Sequence, residues 1–81
     1  MSKVASRWTS EALEARLRAQ AAIDSAPRAI AGLAAAEHLD LLRTIELVGR
    51  AQLSAADAVA QLTRISDELR KAREAVSASV R

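Results

Sequence analysis

The side chains best able to do chemistry in this sequence are one histidine, His38, and ten carboxylates. His38 has Glu37 and Asp40 beside it in sequence. On a helix those two acids fall on a different side from the imidazole, so the three do not converge. A general base needs a nucleophile or a substrate pocket within reach, and a metal needs further ligands. Neither can be read here. His38 is therefore expected to be a core or interface residue that bonds a polar neighbour, with a pH-sensitive contact as its lesser role. The pairs Glu11/Glu14 and Asp67/Glu68 sit among arginines on charged faces, which suits helix decoration better than acid–base work. The sequence has no cysteine, which removes disulfides and Cys-based zinc sites. It also lacks a glycine-rich phosphate loop and a Gly-x-Ser-x-Gly elbow. The expectation is a non-enzyme with no catalytic, cofactor-binding or metal-binding residues and no cofactor. Trp8, the sole aromatic, could anchor an interface or pack locally at a helix start.

The elements that hold these residues must be helical. The 81 residues include 20 Ala, 10 Leu and 10 Arg, with two Gly and one Pro; these are strong helix formers with few breakers. The pattern predicts an all-α fold, a small three-helix antiparallel hairpin or bundle with helices at 9–24, 26–48 and 54–78. It forms one domain over 1–81, frayed at 1–8 and 79–81. Thr9 can cap the first helix, Glu11 suits its positive end, and Trp8 can staple onto Leu13. Ser25 and Pro27 mark the next break, against the rival of one long helix kinked at Pro27. Gly49 suits a C-terminal cap, and Ser54 with Asp57 resembles a capping box.

The third helix has the clearest face. Leu62, Leu69 and Val76 recur every seven residues, with Ile65 among them, as in a coiled-coil seam. Arg64–Glu68, Asp67–Lys71 and Arg70–Glu74 lace its outer side. The second helix offers an apolar arc of Ile30, Ala31, Ala34, Leu41, Leu42, Ile45 and Val48, with His38 near its middle. Leu33, Leu39 and Leu47 lie away from that arc. On the first helix Leu13 and Leu17 line one side, and Ala12, Ala15, Ala19 and Ile23 form a ridge on another. These arcs assign Leu13, Leu17, Ile30, His38, Leu41, Leu42, Ile45, Val48, Leu62, Ile65, Leu69 and Val76 to the core. Trp8, Ala12, Ala15, Ala19, Ile23, Leu33, Leu39 and Leu47 are left as candidates for a protein interface.

A chain this short buries only about 60% of the surface its unfolded form exposes, so completion by oligomerisation, a dimer first, is expected. The net charge is +2 and the isoelectric point about 9.9. The basic residues (Lys3 to Arg18, and Arg70, Lys71, Arg73, Arg81 are the densest) are interleaved with acids, whereas a DNA footprint is a basic stripe. Nucleic acid is thus a poor partner. No run reaches the ~18 apolar residues of a membrane span, and Arg7, Glu11 and Glu14 interrupt any leader-like segment. A cytoplasmic protein is expected, and the Ala and Arg bias suggests a GC-rich bacterial or phage genome. The function expected is that of a protein-binding regulator or adaptor, such as a phage- or bacterium-encoded inhibitor that occupies a larger protein. A small structural subunit of an assembly is the alternative, and a weak nucleic-acid binder the third.

Overall fold

The computed structural model describes residues 8–79; apart from Trp8 and Ser79, the ends expected to fray lie outside the described residues. Within them the chain forms α1 (Ser10–Asp24), a 3-10 turn (Arg28–Ile30), α2 (Ala31–Gly49) and α3 (Ala55–Ser79), and no strand. It is an all-α three-helix bundle. Short connections turn each helix back on the last, so α1 and α3 run in the same direction. Near their C-terminal ends an Arg73 guanidinium nitrogen donates to the Ser25 hydroxyl at 2.7 Å.

Local signals set the ends. The Thr9 hydroxyl accepts from the Ala12 amide at 3.1 Å and starts α1. Ser54 does the same for α3, accepting from the Asp57 amide at 3.1 Å. Pro27 breaks the chain between α1 and α2. It is extended, with ψ 157, and α2 proper begins at Ala31 rather than at 26. Proline has no N–H to donate and disfavours helix in the residue before it. At the far end of α2 the C-cap is Arg50 and the left-handed residue that closes the helix is Ala51, not Gly49. Ala51 takes φ 59, its amide reaches the Val48 carbonyl, and the Gln52 amide reaches the Leu47 carbonyl at 2.8 Å. Those two bonds make a Schellman motif, whose left-handed position favours glycine. Gly49 is an ordinary last helical residue.

The core is built from one stripe per helix: Ala12, Ala15 and Ala19 from α1; Ala34, Leu41 and Val48 from α2; Ala58, Leu62, Ile65 and Leu69 from α3. Leu41, Val48, Leu62 and Ile65 are sealed completely. Val76 continues the α3 stripe half-buried. Around the stripes Trp8, Ile23, Ile30, Leu33 and Ile45 pack half-buried against the core.

Two helices present faces other than those their sequences suggest. In α1 the alanine ridge lies inside, so Ala12, Ala15 and Ala19 are core residues rather than an outer interface. Leu13 and Leu17 point out, 43% and 68% exposed. Size gives way here to continuity. The alanines recur at helical spacing along the whole of α1, while the leucine side is interrupted by Gln20 and Asp24. Small side chains also let α1 come close to the leucines and isoleucine of α3, its most extensive partner.

In α2 the buried arc is rotated by roughly half of one residue's ~100° step. Glu37 and Thr44 move inside, Leu33 and Leu47 become half-buried, and Leu42 emerges at 50% exposure. His38 is half-buried on the flank, not in the core stripe. The rotation covers Leu33, which packs against the core, and Leu47 in exchange for Leu42, and it sets Glu37 Oε1 and Asp40 Oδ2 3.6 Å and 3.3 Å from a nitrogen of Arg64 in α3. Arg64 therefore ties two helices together instead of pairing with Glu68 along its own.

Candidate functional site

The bundle has three outer faces, one over each pair of helices, and they differ in chemistry. Over α2 and α3 the face is polar. Asp40, Arg43, Thr44, Leu47, Leu53, Gln61 and Arg64 line a shallow hollow of about 240 Å³ there. Beneath it the Glu37 side chain is only 7% exposed, and its Oε1 has no hydrogen-bond partner. Burial pushes this carboxyl above its ordinary value near 4.5, the Arg64 charge pulls it back, and Asp40 and Glu68 add to the rise. A buried acid held by a single contact is a weak point. Over α1 and α3, Glu11, Glu14 and Arg18 stand opposite Ala56 and Val59.

The face over α1 and α2 is apolar. The large hydrophobic side chains exposed among the described residues are Leu13, Leu17, Leu39 and Leu42, and all belong to these two helices. Helical geometry turns Leu13 and Leu42 toward the groove between the two helices, and Leu17 and Leu39, each two residues from buried positions, to the outer side of their own helix. On α1 the flank bearing Glu11, Glu14 and Arg18 faces α3, which leaves Leu13 and Leu17 on the flank away from it. On α2 Asp40 marks the flank nearest α3. The sequence neighbours of the buried stripe, each one residue further on and so ~100° round, are Ala35, His38, Leu42, Ile45 and Gly49, on the opposite flank. Because α1 and α2 are antiparallel, the N-terminal half of α1 lies beside the C-terminal half of α2. Arg16 covers Trp8, with its guanidinium carbon 5.0 Å from the ring centroid, a cation–π geometry.

The residues singled out in the sequence are thus redistributed. Of the interface candidates, only Leu39 is exposed; Ala12, Ala15 and Ala19 are inside, and Trp8, Ile23, Leu33 and Leu47 are half-buried. Leu13, Leu17 and Leu42, taken as core, are exposed as well. The signal that could have found them is the break in the Leu13/Leu17 stripe by polar residues.

Four of the eight arginines among the described residues pair with acids, Arg64 with Glu37 and Asp40 as above. Arg18 faces Glu14 at 3.6 Å, Arg50 faces Glu46 at 2.7 Å, and Arg70 lies between Asp67 at 3.6 Å and Glu74 at 3.4 Å. That interleaving leaves no basic stripe on these helices; Lys3, Arg7 and Arg81 lie outside the described residues. Among the described residues no three His, Asp or Glu side chains are placed to hold a metal ion, and no helix is long and apolar enough to cross a membrane.

Fold and face together define a small helical bundle with one apolar two-helix side. No protein-family model matches the sequence, and neither a curated protein nor a solved structure is significantly similar to it.

Proposed function

We propose that this protein works by binding other protein surface through its α1–α2 face, as a small regulator or adaptor that acts by occupancy. The observation that carries this reading is that Leu13, Leu17, Leu39 and Leu42, the large apolar side chains exposed among the described residues, all belong to α1 and α2. Exposed apolar surface gathered on part of a domain commonly marks a place where something binds. The recognition mode that suits it is helix packing, with side chains three and four residues apart entering a partner's groove. A phage- or bacterium-encoded inhibitor of a larger protein fits the size and composition. The salt-bridged rims on both sides of the face add little affinity and serve to keep it soluble.

The test compares the full chain with a Leu17→Glu/Leu39→Glu variant as baits in extracts of the source cell, after circular dichroism has shown both to be equally helical. A protein held by the first and lost by the second, and binding the purified bait by calorimetry, supports the reading. Equal capture by both baits removes it.

A further inference from the structure

The two connections of the bundle are built differently. Pro27 stops α1 from running on into α2, but no proline separates α2 from α3. The segment between them, Arg50 to Ser54, holds neither glycine nor proline, and its Arg, Ala, Gln and Leu are good helix formers. It turns only by putting Ala51 at φ 59, a left-handed conformation that a Cβ makes costly.

The buried stripes on either side of this turn also share one register. Ala34, Leu41, Val48, Leu62 and Leu69 stand whole multiples of seven apart. So do Glu37, Thr44, Ala58 and Ile65, each three residues after a position of the first series. The two positions that the turn leaves out of this pattern, Ala51 and Ala55, are both alanine, and Val76 continues it half-buried. Two helices folded back on one another need no common phase, since a turn of another length would serve them equally well. A shared heptad phase is what one continuous coiled-coil helix needs.

We propose that the α2–α3 turn is a hinge that opens into one helix from Ala31 to Ser79, and that two opened copies exchange α3. Each α3 then packs on α1 and α2 of the other copy, in the contacts it makes within its own chain when closed. In the closed chain Arg64 of α3 meets Glu37 and Asp40 of α2, and α2 ends at Gly49 where α3 starts at Ala55. The two-fold axis of the exchanged dimer therefore falls inside the former turn. There Ala51 and Ala55 are small enough for two straight helices to pass closely.

The core contacts are the same in both forms, so the hinge sets the balance between them. Opening frees Ala51 from its left-handed conformation and gives the turn helical hydrogen bonds. Closing keeps the Ser54 cap and the packing of Leu53 against the core, and it avoids the cost of joining two chains. The closed monomer therefore holds at low concentration, and the exchanged dimer gathers when α3 is released at high concentration. The exchange is independent of the binding role given above.

The test is to unfold the full chain in urea, refold it over a range up to several hundred micromolar, and separate the products by size. A dimer is expected from the concentrated samples and a monomer from the dilute ones. The chain has no cysteine of its own, so spin labels on Ala36→Cys/Lys71→Cys, diluted into unlabelled chains, report the form. Both positions are exposed. Closed, they lie on adjoining antiparallel helices within ~20 Å of each other; in one continuous helix they stand about 50 Å apart. Ala51→Gly should raise the dissociation constant about a hundredfold, because in both chains glycine eases the turn and weakens the helix. Ser54→Ala removes a cap that only the closed form uses and should lower the constant about tenfold. A monomer at every refolding concentration overturns the exchange. So does a dimer whose labels stay close, or one indifferent to both substitutions.

Discussion

Two helices of this bundle run side by side in the same direction and bury opposite kinds of residue. Helix α3 seals Leu62 and Ile65 and nearly seals Leu69, and its outer side is charged; α1 seals three alanines and turns two leucines to solvent. The contrast shows how a small core is divided. Where one helix supplies the large side chains, its neighbour fits only if its own contact stripe is small, and α1 has a complete small stripe to offer. The leucines left over on α1 are then available for something outside the chain. Stability therefore resides mainly in α3 and the stripes of α1 and α2 packed against it, and the proposed binding surface is on the outer sides of α1 and α2.

That division can be broken most severely from α3. Leu62→Ala should cost about 2–5 kcal/mol, enough to unfold a domain this small, as loss of the urea transition would show. A mild loss would mean that the core is not centred on α3. Next in size is Ala19→Leu on the buried stripe of α1, which should cost about 1–3 kcal/mol through overpacking. Leu17→Ala on the same helix should change stability by less than about 0.5 kcal/mol. If the two effects were reversed, the face assigned to α1 would be wrong.

The α2–α3 contact can be sharpened through Glu37. The folded protein holds this proton more tightly than the unfolded chain, because burial raises the carboxyl above its value near 4.5. Its contribution is thus fully present below that value and is lost as pH rises through the raised one. Glu37→Gln, which resembles the protonated acid, should match the natural protein at low pH and exceed it by on the order of 1 kcal/mol at neutral pH. Denaturation at a series of pH values reads the difference, and a gap that does not widen with pH would remove the account. The smallest effect lies at the turn that joins these two helices. Ala51→Gly should stabilise by about 0.5–1 kcal/mol, since Ala51 holds φ 59 where glycine is unstrained. Thermal denaturation should then rise by a few degrees.

Much of the fold was legible because its signals are local. Thr9, Ser54 and Pro27 act within a turn of themselves, and α3 repeats every seven residues without interruption, so helix number, class and approximate ends follow from neighbours in sequence. The site was legible only in part. That apolar side chains exceed what one bundle buries can be read from α1 and α2, but their outward sides were mostly misassigned. Leu13 and Leu17 were taken as core for their size, and Ala12, Ala15 and Ala19 as surface for lack of it. Likewise a charged Glu37 was placed outside because nothing in α2 itself announces Arg64.

The sequence by itself thus determined the three helices, their breaks and the excess of apolar stripe over available core. Those depend on backbone hydrogen bonding and on side-chain preferences within a few residues. Only the tertiary structure decided which stripe of α1 turns inward and how far α2 rotates about its axis. Both depend on what another helix brings: the bulk of Leu62 and Ile65 beside the alanines of α1, and the α3 surface that covers Leu33 and sets Arg64 against Glu37 and Asp40. The exposed leucines are what remains after those two choices.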